Sequence, residues 1–112
     1  MKKITFLTVA LIFCFAAFGQ TQAEMNEEAK KAHSLADKEM TLVYKTLMAN
    51  LTTQGEKDLL LAAQRAWITY KEAHCKALAQ QYEGGSMMTM MYYGCLEEMT
   101  RQRMAQLNAY GQ

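Results

Sequence analysis

Cys75 and Cys95 stand symmetrically about Gly85, ten residues to either side, with Gly84 next to it. Two cysteines spaced evenly around a Gly-Gly turn describe a pair of helices folded back on each other and stapled. What the pair means chemically depends on the compartment. Lys2 and Lys3 give a basic start, Ile4 to Phe18 is an apolar run, and small residues follow, the layout of a secretory signal. The run is short for a bilayer span, which takes about 20 apolar residues. Bulky Phe13 ahead of Cys14 argues against lipid attachment. Cys14 is therefore expected to leave with the signal. An even pair then remains, and in an oxidising compartment such a pair reads as a disulfide.

Two cleavage points compete, one after Gly19 and one after Ala23. Thr21 and Glu24 have the spacing of a helix N-cap and its capping-box partner, and the later cut would remove that cap. The earlier cut is favoured, giving a signal over residues 1–19 and one domain over 20–112. Beyond residue 19 there are ten basic and eleven acidic side chains, a formal charge of −1. That balance gives no reason to expect nucleic acid or an anionic membrane surface as partner, and no stable anchor is expected once the signal is cut. A domain this short has a core near the lower limit for independent stability. A disulfide closing a 20-residue loop adds about 3 kcal/mol in the chain-entropy model.

The class expected is all-α. The chain has no proline, strong helix formers dominate, and apolar residues recur at three and four rather than two. A first helix is expected from about Gln22 to Leu51, with Met40, Val43, Tyr44, Leu47, Met48 and Leu51 on one face. Thr53 and Glu56 repeat the capping-box spacing and open a second helix, whose stripe reads Leu60, Ala63, Trp67, Tyr70, Leu78 and Tyr82. Gly84 suits the left-handed residue that ends a helix, and Ser86 suits the cap of the next. The third helix carries Met88, Tyr92, Leu96, Met99, Leu107 and Tyr110. Short connections make this a small antiparallel three-helix bundle, up-down-up, with one disulfide joining the second and third helices.

These residues resemble the N-terminal domain of the LprI-type lysozyme inhibitors. Asp37, Met40 and Tyr44 look like that family's run on the first helix, with Thr41 where asparagine is usual. Gln64, Trp67, Tyr70, Lys71 and Cys75 match its most distinctive segment. Gly84, Gly85 and Ser86 match its turn, and Cys95, Thr100, Arg103 and Leu107 match its closing pattern. The likeness spans essentially the whole chain after the signal, and Gln20 to Ala29 resembles the family's opening. Two departures stand out. Glu28 occupies a position where many members carry a further cysteine, so one disulfide is expected here and not two. Lys71 replaces the commoner arginine, which reduces a bidentate contact to a point charge.

Counting about 1.5 Å per helical residue from each turn puts Asp37, Lys71, Cys75 and Cys95 at one level, near the Gly-Gly end. Tyr44, Gln64, Trp67 and Arg103 fall on another level. Asp37 and Arg103 lie in apolar stripes, where an unpaired charge is costly. Asp37 is accordingly expected to pair with Lys71, and Arg103 to lie against Trp67 or to bond Tyr44 and Gln64. On this reading the motif is a skeleton and not an active site.

Other constellations point to packing before chemistry. Met87, Met88, Met90 and Met91 contain two pairs at a spacing of three, and thioethers are soft Cu(I) ligands, but methionine is also an adaptable core and contact residue. His74 is next to Cys75, yet adjacent helical residues do not face each other, and a disulfide sulfur is neither ligand nor nucleophile. His33 lies among charges on an expected solvent face. Glu27, Glu28, Glu97 and Glu98 read as solvated carboxylates. No catalytic residue, metal set or cofactor loop is assigned.

The resemblance implies a periplasmic or secreted inhibitor that binds lysozyme and protects peptidoglycan, a binding protein and not an enzyme. A lysozyme cleft holds two carboxylates and a sugar chain, so an inhibitor needs a slender polar protrusion. The turn at Glu83, Gly84, Gly85 and Ser86, with Met87 and Met88, is the expected contact. The alternatives are an immunity or adaptor protein for another peptidoglycan hydrolase, or a methionine-rich Cu(I) carrier.

Overall fold

A computed structural model describes the backbone of residues 2–110 and the side chains of residues 21–110. Three helices follow one another, α1 (Lys2–Asn50), α2 (Gln54–Gln80) and α3 (Met88–Ala109), with no strand among the described residues. The first does not start at Gln22. It runs unbroken from Lys2 through Thr21, because a proline-free run of helix formers gives the uncut chain nothing to stop on. The capping box at Thr21 and Glu24 is therefore not a helix start in this form. The side chains of the proposed signal, 1–19, and its cut after Gly19 lie outside the described residues.

The second helix starts where the sequence says. Thr53 is extended at φ −107° and ψ 149°, and its hydroxyl oxygen accepts the Glu56 N–H at 3.2 Å. That bond satisfies one of the amides a helix start leaves free, and Glu56 sits where a carboxylate complements the helix dipole.

Beyond Gln80 the chain tightens instead of stopping at once. The N–H groups of Gln81, Tyr82 and Glu83 reach the carbonyls three residues back, at 3.3, 2.9 and 3.1 Å. Gly84 then takes φ +78°, which glycine enters without steric cost. A Cβ on Gly85 would lie 3.2 Å from the Tyr82 carbonyl oxygen, and the Gly85 N–H donates to that oxygen at 3.0 Å. Both glycines thus have local reasons. Ser86 is not the cap of α3. Met87 holds that position, with no side-chain bond, so the serine hydroxyl sits one residue too early to reach the first free amides.

The pairing sense is that of an up-down-up chain. Between α1 and α3, His33 meets Tyr93 and Glu39 meets Arg101, so the numbers rise together. Between α2 and α3, Cys75 joins Cys95 and Gln64 meets Arg103, so they run oppositely. The main core cluster is Met40, Leu60 and Leu107, wrapped by Val43, Tyr44, Leu47, Met48, Leu51, Trp67 and Met104. It lies toward the α1–α2 turn. Toward the other end the buried set is Ala36, Cys75, Ala79 and Leu96.

The face of α1 is as expected, but the seam of α2 is displaced. Its buried residues are Leu60, Gln64, Lys71, Cys75 and Ala79, while Ala63 is exposed and Tyr70 is 60% exposed. Two polar residues occupy the true seam, so a stripe drawn through apolar residues drifts to the adjacent face. On α3 the same thing happens around Thr100, fully buried with its hydroxyl donating to the Leu96 carbonyl at 2.6 Å. Tyr110, at 59%, is exposed.

Candidate functional site: a stapled tip and the groove behind it

The Cys75–Cys95 disulfide joins α2 to α3 with the Cα atoms 5.6 Å apart. Nine residues separate Cys75 from Gly84, so the bridge lies roughly 13 Å behind the turn. Glu83, Gly84, Gly85, Ser86 and Met87 are all exposed on that turn. Gln80 Nε2 donates to a Glu83 carboxylate oxygen, which holds the one charged group of the tip against its own helix. Met88 turns aside and is half-buried beside Tyr92 and Tyr93.

The motif residues divide into two arrangements. In the first, Arg103 Nε donates to Gln64 Oε1 at 3.0 Å, and Gln64 Nε2 points at Met40 Sδ, 3.6 Å away. Arg103 Nη1 also donates to Gln106 Oε1 at 3.2 Å. The guanidinium carbon lies 5.9 Å from the Trp67 ring centre. Gln64 is buried, so its two bonds satisfy groups that would otherwise be costly. The expected contacts of Arg103 with Gln64 and Trp67 are present. Tyr44 instead packs on the core cluster, as Leu107 does from within it.

In the second, Lys71 is only 6% exposed and its Nζ sits 4.8 Å from the centre of the Trp67 ring. Among the described residues no ion pair joins it to Asp37. The ring face one turn away on its own helix offers the buried ammonium a partner without bringing a second charge out of water. Asp37 is half-buried, and its backbone carbonyl accepts the Thr41 hydroxyl at 2.7 Å. Asp37 and Lys71 both act on His33, so they share a level without pairing.

His33 is not on a solvent face. It is half-buried against Tyr93, with ring centres 6.1 Å apart, and its buried Nε2 has no hydrogen-bond partner among the described residues. Burial first, and the positive charge of Lys71 second, lower its pKa below the ordinary histidine value, while Asp37 and Glu97 pull weakly the other way. A histidine that resists protonation when folded makes no difference to stability at high pH. As pH falls through about 6.5, the unfolded chain takes up the proton more readily. Stability is thus expected to fall on acidification below that point. His33→Gln should flatten this part of the Tm-against-pH curve, and an unchanged slope in that variant would rule His33 out as its source.

Arg101 reaches both Glu39 on α1 and Glu97 on its own helix, each at 3.3 Å. Glu39 is therefore the partner across helices and Glu97 an i,i+4 partner within α3, while Glu27 pairs with Lys30 at 3.5 Å. All are substantially exposed pairs of small individual worth.

One feature was not foreseen from sequence. A groove of about 620 Å³ runs between α2 and α3, lined among others by Trp67, Tyr70, His74, Met91, Glu98 and Arg103. The exposed Tyr70 stacks on His74 with ring centres 5.6 Å apart. The signal lay in the i, i+4 spacing of Tyr70 and His74, which a core-facing stripe conceals. The four neighbouring methionines do not converge, since Met90 and Met91 line this groove and Met88 a different one. Among the described residues no three His, Cys, Asp or Glu side chains gather as a metal set.

Comparison with known proteins places this geometry in context. The family model described as "Lysozyme inhibitor LprI" matches residues 14–107. A protein of Rhizobium meliloti (strain 1021), described as uncharacterized protein R02472, is 32% identical over 99 residues, covering 78% of this chain and 71% of that protein. No solved structure matches.

Proposed function

The chain belongs to the lysozyme inhibitor LprI family, and we propose that it is an exported binding protein that engages lysozyme and shields peptidoglycan. The observation that carries this reading is the tip. A narrow exposed turn from Glu83 to Met87 is built on a left-handed Gly84 and backed by a covalent link between its two helices. A turn with two glycines and one small serine lets backbone approach the floor of a cleft closely. The disulfide limits the ordering that binding would otherwise require. Glu83 through Met88 are assigned as the contact, with Cys75 and Cys95 as its support.

Residues 1–19 are proposed as the export signal and the periplasm or exterior as the destination. A disulfide supports an oxidising compartment. Among the described residues no helix is long and apolar enough to cross a membrane. The formal charge of −1 beyond residue 19 offers little long-range attraction to a cationic lysozyme, so recognition rests on shape at short range.

The test is turbidity loss of a peptidoglycan suspension treated with chicken-, goose- and invertebrate-type lysozymes, each with and without purified protein. At least one type should be slowed at stoichiometric protein. Full lysis rates with all three would remove lysozyme as the target and leave an immunity or adaptor role toward another peptidoglycan hydrolase.

A further inference from the structure

Behind the tip, three sulfur atoms from two helices meet at one place. Cys75 Sγ is bonded to Cys95 and lies 3.7 Å from Met99 Sδ. Cys75 is fully buried, whereas Cys95 is half-buried and lines the open groove beside His74 and Met91. Met99 lies one helical turn beyond Cys95 on α3, so its thioether and both cysteine sulfurs are set by two stapled helices, not by a loop.

We propose that the reduced form of this cluster is a Cu(I) site, with Cys75 and Cys95 as thiolate ligands and Met99 as a thioether ligand. Thiolates and thioethers are soft donors that select Cu(I) over harder ions. A metal with about 2.3 Å bonds to three sulfurs in a plane separates neighbouring sulfurs by roughly 4 Å. The separation of 3.7 Å between Cys75 and Met99 is close to that already. Cα atoms 5.6 Å apart leave the two cysteines near enough to share an ion with little movement of either helix.

Conversion requires a dithiol reductant. Its thiolate attacks Cys95 Sγ from the groove, the bond to Cys75 breaks, and the Cys75 thiolate takes a proton. The second thiol of the reductant then loses its proton and attacks its own bonded sulfur, Cys95 leaves as a thiolate that takes up a proton, and the reductant departs as a cyclic disulfide, having supplied two electrons. Cu(I) binding releases the two cysteine protons to solvent and forms a complex of net charge −1 at the metal. Metal would then replace the disulfide as the link between α2 and α3.

The experiment competes the whole purified chain against bicinchoninate for Cu(I) under anaerobic conditions. It uses the disulfide form, the dithiothreitol-reduced form freed of reductant, and reduced Met99→Leu. Leucine keeps the side-chain volume, so the variant is expected to fold, which far-UV circular dichroism checks. The reduced wild type should withdraw one Cu(I) per chain and the disulfide form none. Met99→Leu should bind at least tenfold more weakly, and sulfur ligands counted by X-ray absorption should drop from three to two. Equal affinity in Met99→Leu, equal uptake by the disulfide form, or no uptake by the reduced chain would each overturn the assignment. Reduced chain that lost helicity and did not regain it with Cu(I) would overturn it too.

Discussion

Replacing both Cys75 and Cys95 with alanine is expected to lower the free energy of unfolding by about 3 kcal/mol. The bridge closes a loop of 20 residues, and a small domain holds only about 5–15 kcal/mol in all. The effect should also be local. The main apolar cluster of Met40, Leu60 and Leu107 lies toward the opposite end, while around the bridge the buried apolar side chains are small or few, Ala36, Ala79 and Leu96. Amide exchange is therefore predicted to accelerate more from Ala79 to Tyr92 than from Leu60 to Trp67. Urea unfolding measures the first quantity and mass-resolved exchange the second. A loss under about 1 kcal/mol, or acceleration spread evenly along α2, would mean that packing holds the tip without the bridge.

Leu60→Ala should cost a comparable amount, about 2–5 kcal/mol. Leu60 is 1% exposed and contacts both other helices through Met40 and Leu107. Its neighbours include Gln64, fixed by bonds to Arg103 and Met40, so the surroundings have little freedom to collapse into the void. Leu59, the preceding residue, is 72% exposed, and Leu59→Ala serves as the matched control with an expected change within about 0.5 kcal/mol. Similar losses from the two substitutions would contradict the seam assigned to α2.

How far the sequence announced this molecule depends on the kind of residue. Thr53 with Glu56, Gly84, and the Cys75–Cys95 pair each encode their role locally, through a cap bond, a left-handed φ and a symmetric spacing, and all three appear as read. The helix count and class followed from period and punctuation. Ser86 was misplaced by one residue because any cap assignment rests on where the first amide falls, which the intervening turn decides. Gln64 and Lys71 defeated the stripe on α2, since burial there is made tolerable by Arg103 and the Trp67 ring, partners that no local pattern names. His33 was lost for the same reason, its cover coming from Tyr93 sixty residues away. The groove between α2 and α3 required knowing the face Tyr70 presents, which the drifted stripe assigned to the core.

The central claim is that the stapled turn is the part that meets lysozyme. Ser86→Trp tests it most directly, because Ser86 is exposed on the tip and caps no helix, so bulk is added there without disturbing the fold. With a lysozyme that the wild type slows, inhibition is predicted to weaken at least tenfold while the melting temperature stays within a few degrees. Inhibition by Ser86→Trp equal to that of the wild type would contradict the assignment of the tip and move the contact elsewhere on the bundle.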